Sequence, residues 1–239
     1  MKSDKLKIEI WSDVQCPFCY IGKRKFEQAL ETFEHKDSIS VVWKSFQLNP
    51  QLVTDTSIST SEYLAKHKNI SVQEAKAMGK HVEQAGTSAG LNFNFDTAIV
   101  ANTHKAHQLL HLATKHLVQN ELKEKLFEAH FENGKNIDDK EVLLAVGQEV
   151  GLKENDVLDA LSSQKYFAEV EQDIKEAQQL GIRGVPYFVF DRKHALSGAH
   201  DPETFKQALN TSFADWQKEN KAEALDTIKG DACEIDGGC

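Results

Sequence analysis

The chain has no surplus of positive charge and no long apolar run, and these two absences remove whole classes of function. Its 239 residues carry 28 Lys and Arg against 37 Asp and Glu, a formal net charge of −9. No basic patch interleaved with aromatics occurs, so nucleic acid and anionic membrane surfaces are poor partners. No apolar stretch approaches the roughly 18–20 residues of a membrane span. The first residues, Met1-Lys2-Ser3-Asp4-Lys5-Leu6, have a basic start but neither the apolar stretch nor the small-residue cleavage site of a secretory leader, so a cytoplasmic location is expected. Repeats and low-complexity segments are missing too. Cysteine is scarce, four in all, and in a reducing compartment that number points to catalysis or metal binding before structural bridges. The 40% hydrophobic and 27% charged residues that are present suffice, over this length, for a full core in one large domain or two small ones.

Two of those cysteines stand in Cys16-Pro17-Phe18-Cys19. The run before them, Leu6-Lys7-Ile8-Glu9-Ile10-Trp11, alternates with period two as a strand with one buried face does. After them Ile21, Phe26, Leu30 and Phe33 recur at helical spacing between charged residues. Cys16 therefore falls at the N-cap of a helix, with Pro17 at the first helical position, where its missing N–H costs nothing. Unpaired N–H groups and the positive end of the helix dipole favour a thiolate there. The expectation is that Cys16 is the nucleophile, with a pKa in the roughly 3.5–7.5 range of such sites, and that Cys19, one turn in, is the resolving thiol. The same spacing also suits half of a zinc site, or two unrelated structural cysteines.

Along the chain, Ser38-Ile39-Ser40-Val41-Val42-Trp43-Lys44-Ser45-Phe46 reads as a second strand, completing a βαβ unit. From about 56 to 180 the pattern is helical, with no strand signal. Ser59-Thr60-Ser61-Glu62 and Ser71-Val72-Gln73-Glu74 have capping-box spacing, and Val72, Ala75, Val82 and Ala85 mark an apolar face that ends at Gly86 to Gly90. Further helices are expected over 100–118, 122–131, 142–150, 157–161 and 167–180, with Gly151 and Gly181 as C′ residues. Strand chemistry returns in Val185-Pro186-Tyr187-Phe188-Val189-Phe190, which forms a hairpin with Ala195-Leu196-Ser197-Gly198 across a turn at Asp191-Arg192-Lys193-His194. Asp201 and Pro202 open a last helix whose face is Phe205, Leu209, Phe213 and Trp216.

That order, with the cysteine pair opening the first helix and Val-Pro entering the third strand, resembles the DsbA family: an α/β thioredoxin fold (βαβ…ββα) with a large all-helical insertion. The expected division is 1–55 and 181–220 for the two halves of the thioredoxin-like domain, 56–180 for the insertion and 221–239 for a tail. More narrowly, Ser12-Asp13-Val14-Gln15-Cys16-Pro17-Phe18-Cys19, Asn102-Thr103-His104-Lys105-Ala106-His107, Gly181-Ile182-Arg183-Gly184-Val185-Pro186 and Ser197-Gly198-Ala199 resemble its FrnE-like cytoplasmic branch. The resemblance implies a thiol–disulfide oxidoreductase or isomerase in which Cys16 attacks and Cys19 resolves. It also implies that Pro186 is cis and packs against the Cys16 sulfur, so that Val185 offers main-chain groups to an extended substrate, with Pro17 and Phe18 beside it, while a metal is sterically excluded. Read without the resemblance, Pro186 is an ordinary trans proline at the start of a strand. DsbA itself carries His where Phe18 stands. Phe18 cannot donate a hydrogen bond or lend positive charge to the thiolate, so a less oxidising disulfide is expected.

The tail holds the other pair, in Cys233-Glu234-Ile235-Asp236-Gly237-Gly238-Cys239, where glycines favour a mobile loop. FrnE-like proteins are similar in having such a pair, which implies a redox relay between Cys233/Cys239 and Cys16/Cys19. A local disulfide, metal binding and spectator thiols are the alternatives. Asp13, three residues before Cys16, is a candidate proton relay for Cys19, against an ordinary turn carboxylate. His104, His107 and His111 share one helical face and either line a groove, bind metal or pack, and Phe93 and Phe95 pack. The expected partners are protein or small-molecule disulfides. Neither a metal nor a cofactor is expected beyond a thiol donor such as glutathione, and the oligomeric state stays open, a homodimer included. Two other classes compete: a glutathione-dependent isomerase or transferase of the kappa or hydroxychromene carboxylate isomerase type, where Ser or a single thiol is usual, and a non-enzymatic zinc-binding or chaperone-like module.

Overall fold

A computed structural model of the chain describes residues 5–220. Strand β1 (Leu6–Ser12) lies inside a four-stranded sheet of order β2-β1-β5-β6, with β2 at Ile39–Ser45, β5 at Tyr187–Phe190 and β6 at His194–Ser197. β2 runs parallel to β1 (Leu6 opposite Ile39, Ser12 opposite Ser45), whereas β5 is antiparallel to it (Ile8 opposite Phe190). The parallel pair needs a crossover, and helix α1 (Pro17–Glu31) supplies it. This is the thioredoxin arrangement.

The period-two pattern of β1 sends Leu6, Ile8 and Ile10 to one face, where they pack with Phe26 and Ala29 of α1, Phe188 and Phe190 of β5, and Phe205, Leu209 and Phe213 of the last helix, α9 (Pro202–Asn220). The other face is covered as well, which the alternation did not indicate. Trp11 packs there on Ala177, Ile182 and Val189, and Glu9, 1% exposed, is held by Arg192 (2.6 Å). A sequence with a charged residue on that face reads as half-solvated. Here the charge is buried because it is paired.

Between β2 and β5 come α2 (Thr60–Lys68), α3 (Val72–Ser88), α4 (His104–Lys115), α5 (Gln119–Phe127), α6 (Lys140–Glu149), α7 (Glu154–Ser162) and α8 (Phe167–Gln179). Both capping boxes form: Ser59 caps α2 with Glu62, and Ser71 caps α3 with Glu74. Gly151 and Gly181 take the positive φ expected of C′ residues (84° and 72°). Three details differ from the sequence reading. The stretch is not wholly helical, because Asp55–Ser59 (β3) pairs antiparallel with Ile99–Val100 (β4). α4 starts at His104 and not near 100, because Asn102 accepts the His104 N–H (2.8 Å) and Val100 is already spent on β4. α5 widens into a single π turn over Glu128–Glu132, which turns Ala129, His130 and Phe131 inward. These helices enclose a second apolar core, and Val14, Cys16, Cys19, Tyr20 and Ile21 at the start of α1 belong to that core rather than to the sheet's.

Candidate functional site

The cysteine pair sits where the two cores meet. β1 ends at Ser12, the Cys16 N–H closes a turn onto the Asp13 carbonyl (3.1 Å), and Cys16 is the extended N-cap of α1 with Pro17 next to it. The Cys19 N–H then bonds the Cys16 carbonyl (3.0 Å), so the two side chains lie one turn apart at the helix start. Both thiols are free, with Cys19 fully buried and Cys16 4% exposed. The Cys16 thiol donates to the Val185 carbonyl (3.4 Å), and the Val185–Pro186 peptide is cis. Pro186 is buried against α1 at Gly22, where a Cβ would lie 2.9 Å from the proline Cγ. Only a residue without a side chain lets the helix and this loop approach so closely. Phe18 points outward, 45% exposed, and Pro17 is half-buried between Phe18 and Cys16 in sequence.

Asp13 is fully buried and saturated with donors. Its Oδ2 accepts from the Leu48 N–H (2.7 Å) and Gln15 Nε2 (3.0 Å), and its Oδ1 meets His107 Nε2 at 3.4 Å. Burial pushes its pKa up, but these hydrogen bonds outweigh it, His107's the most, and hold the carboxyl below its usual range. Asp13 thus ties the β1 turn to the 46–54 loop as well as lying beside the dithiol. Burial brings His107 down, opposed by Asp13, so the ring is neutral at neutral pH and donates from Nε2; its Nδ1 is then buried without a partner.

The Cys16 thiol is pushed well up. The hydrogen bond it shares with Cys19 is the main cause, followed by burial and the Cys19 charge; the Asp13 charge adds to them, and only the Cys19 N–H pulls the other way. This reverses the direction expected from the helix start alone. Two neighbouring thiols share a proton, so once one is ionised it holds the other's, and the helix-position argument contained neither that coupling nor the burial.

Of the other candidates, His104 and His111 do not join His107. His104 contacts Gln108 Nε2 (3.2 Å) and packs on Phe167, while His111 Nε2 lies 3.1 Å from Ser45 Oγ and 3.1 Å from Asp173. Among the described residues no group of three or more His, Cys, Asp or Glu is arranged to hold a metal. Phe93 and Phe95 pack with Phe131, and Phe93 also meets Tyr20. Cys233 and Cys239 lie outside the described residues.

The sequence reading missed several groups. Glu124 on α5 accepts from Tyr20 Oη (2.7 Å), Lys23 and Arg24, joining α1 to the inserted helices. His130 and Lys123 are buried in the core that holds the thiols. A signal for them existed: Lys123, Phe127 and His130 stand at i, i+4 and i+7, one helical face, and Phe127 belongs to the apolar pattern.

The buried dithiol at a helix start faces the Val185–Pro186 loop that leads into β5 of a thioredoxin-like sheet. Residues 7–210 match the family model for the DSBA-like thioredoxin domain, and the chain belongs to that family. It is 28% identical over 205 residues to the uncharacterised protein YwbO of Bacillus subtilis (strain 168), covering 85% of this chain and 95% of that one. Among solved structures it is similar to the probable DsbA oxidoreductase SCO1869 of Streptomyces coelicolor, with 33% identity, a TM-score of 0.82 and 98% of each chain covered. It shares its fold with the cytosolic disulfide reductase DsbM of Pseudomonas aeruginosa (18% identity, TM-score 0.64, 87% of this chain and 99% of that one). No helix among the described residues is long and apolar enough to cross a membrane.

Proposed function

We propose that the protein exchanges disulfides with protein or small-molecule substrates, with Cys16 as the attacking thiol and Cys19 as the resolving one. One observation carries the assignment: Cys19 is fully buried, whereas Cys16 keeps slight exposure (4%) beside the exposed Phe18, with its thiol on the Val185 carbonyl. The Cys16 thiolate attacks one sulfur of a substrate disulfide, an S–S bond forms between them, and the substrate's other sulfur leaves as a thiolate. Cys19 then gives up its proton and attacks the Cys16 sulfur, releasing the second substrate thiolate. Two electrons have passed to the substrate and the enzyme holds a Cys16–Cys19 disulfide, which two equivalents of a thiol such as glutathione reduce again. Val185 and Pro186 line the exchange site, with Pro17 and Phe18 forming its rim. Asp13, buried just before the dithiol, is the carboxylate that relays the Cys19 proton in this reading.

The stretches 1–55 and 181–220 serve as the catalytic unit and 56–180 as the inserted unit that walls the site. A FrnE-like position within the family, a cytoplasmic location and a relay through Cys233/Cys239 in the tail at 221–239 belong to the same reading. The name of the cytosolic reductase with this fold supports the location. The test is glutathione-coupled insulin reduction by the full chain and by Cys16→Ser. Turnover that vanishes in Cys16→Ser supports the reading; activity that survives the substitution overturns it.

A further inference from the structure

Lys123 has no counterpart in the mechanism above, and its surroundings are unusual for a cation. Its side chain is 1% exposed. Among the described residues it forms no ion pair; its ammonium lies over the Phe127 ring (4.8 Å to the centroid) and the Trp43 ring (5.6 Å). A cation over an aromatic face recovers less than removing an ammonium from water costs. The two rings do not close that gap. A buried cation of this kind persists where a negative charge appears beside it during function.

The nearby anions narrow the choice. The Glu124 carboxylate is taken by Tyr20, Lys23 and Arg24, and Glu27 by Lys23 and Asn120. Asp13 is taken by Leu48, Gln15 and His107. What remains is the dithiol. Phe127, under the ammonium, stacks on Tyr20 (4.8 Å between centroids), and Tyr20 follows Cys19 directly. The charged and titratable groups that face Lys123 include Cys19 and Lys23 on α1, Cys16 and Asp13 just before it, and His107 on α4, with the Trp43 ring contributed by β2. His130, from the turn after α5, is neutral above acid pH because burial brings it to about 4.

We propose that Lys123 is the buried countercharge of the Cys16/Cys19 pair: its ammonium stabilises the thiolate of the reduced site and opposes closure of the neutral disulfide. The inference rests on the dithiol exchange reading, and Lys123 acts through the sulfurs as a positioning residue. Burial, with the Lys23 charge adding to it, lowers its pKa to about 8 against the Cys19, Asp13 and Cys16 charges that hold it up. Coupling of this kind is reciprocal. Loss of the thiolate on oxidation removes part of what keeps Lys123 protonated, so the lysine gives up its proton more readily in the disulfide form. Loss of the lysine makes the thiols harder to ionise and the disulfide easier to form.

Two measurements test this. In the full wild-type chain, with the state of Cys16 and Cys19 verified by peptide mapping, the Lys123 ε-carbon signal is titrated by NMR in the dithiol and disulfide forms. The disulfide form is expected to titrate at lower pH, by about one unit for a tenfold coupling; identical titrations overturn the proposal. In Lys123→Met, equilibration with glutathione (dithiol plus glutathione disulfide giving protein disulfide plus two glutathione) is expected to shift about tenfold toward the protein disulfide. That corresponds to a potential about 30 mV lower. The pH profile of Cys16 alkylation should move up by about one unit with it. An unchanged equilibrium and profile count against Lys123 alone, whereas failure of the wild-type chain to form a Cys16–Cys19 disulfide with glutathione defeats the exchange reading itself.

Discussion

His130 lowers the stability of the protein as pH falls from 7 to 4, alongside His107 and His104, which burial also brings down. Its ring is buried in the helical core, its Nδ1 has no partner, and it lies edge-on to Phe131 at 4.5 Å. Burial pulls its pKa down to about 4, with only the Asp13 charge opposing. In the unfolded chain the same ring titrates near 6.5. The folded value is the lower one, so the unfolded state binds more protons throughout that window. Stability is therefore complete above about pH 6.5 and is lost as pH falls toward 4. The difference of about 2.5 units is worth roughly 3 kcal/mol in total, of which about 2 kcal/mol is lost by pH 5. The depressed carboxyl of Asp13 acts below that window, since its contribution is lost only as pH drops under the ordinary Asp range. His130→Phe keeps the ring contact and removes the titration. Urea unfolding should show the variant within about 1 kcal/mol of the parent at pH 7, because removing a buried atom that had no partner costs little. At pH 5 the variant should be the more stable by about 2 kcal/mol relative to that pH 7 difference. A parent–variant difference that is the same at pH 7 and pH 5 would refute the reasoning, because it would mean the ring titrates alike in folded and unfolded chains.

Two further substitutions address the thiol site directly. Gly22→Ala places a Cβ against the Pro186 ring and 3.4 Å from Phe188, so overpacking should cost about 1–3 kcal/mol in thermal or urea unfolding and slow insulin reduction as the loop moves off Cys16; an unchanged stability and rate would show that the loop yields freely. Phe18→His puts a hydrogen-bond donor beside the Cys16 sulfur at an exposed position, so it should leave stability within about 0.5 kcal/mol and shift the glutathione equilibrium toward the dithiol by tenfold or more, about 30 mV; a shift toward the disulfide would contradict it.

Much of the fold was legible because its signals are local. The alternation of β1, Pro17 after a cysteine, the paired Ser and Glu of two capping boxes, and glycines at C′ each specify an element from a few adjacent residues. What was not legible depends on partners far along the chain. Glu9 looks solvent-facing until Arg192, brought in by the hairpin turn, neutralises it. β3 and β4 are too short to leave a pattern, and exist because Asp55 and Ser59 meet Ile99 and Val100. At the site, the two cysteines and the loop at Val185-Pro186 could be read from the sequence. The electrostatics could not be: the helix start argues for a low Cys16 pKa, but Cys19, burial and Asp13 together move it the other way. His107 could be placed on a helix with His104 and His111, yet nothing in that spacing says that only His107 turns toward Asp13. Lys123 shows the same limit, since a lysine in an amphipathic helix is read as exposed until its face is seen to be covered.

The central claim is that Cys16 attacks and Cys19 resolves. In Cys19→Ser the first step proceeds and the second has no nucleophile, so incubation with a peptide disulfide should leave a long-lived adduct. Intact-mass analysis followed by peptide mapping measures it directly. The expected result is one substrate half per chain, joined to Cys16 and removed by a thiol reductant, with no such adduct on Cys19 in Cys16→Ser. Accumulation on Cys19, or on neither of the two, would contradict the account.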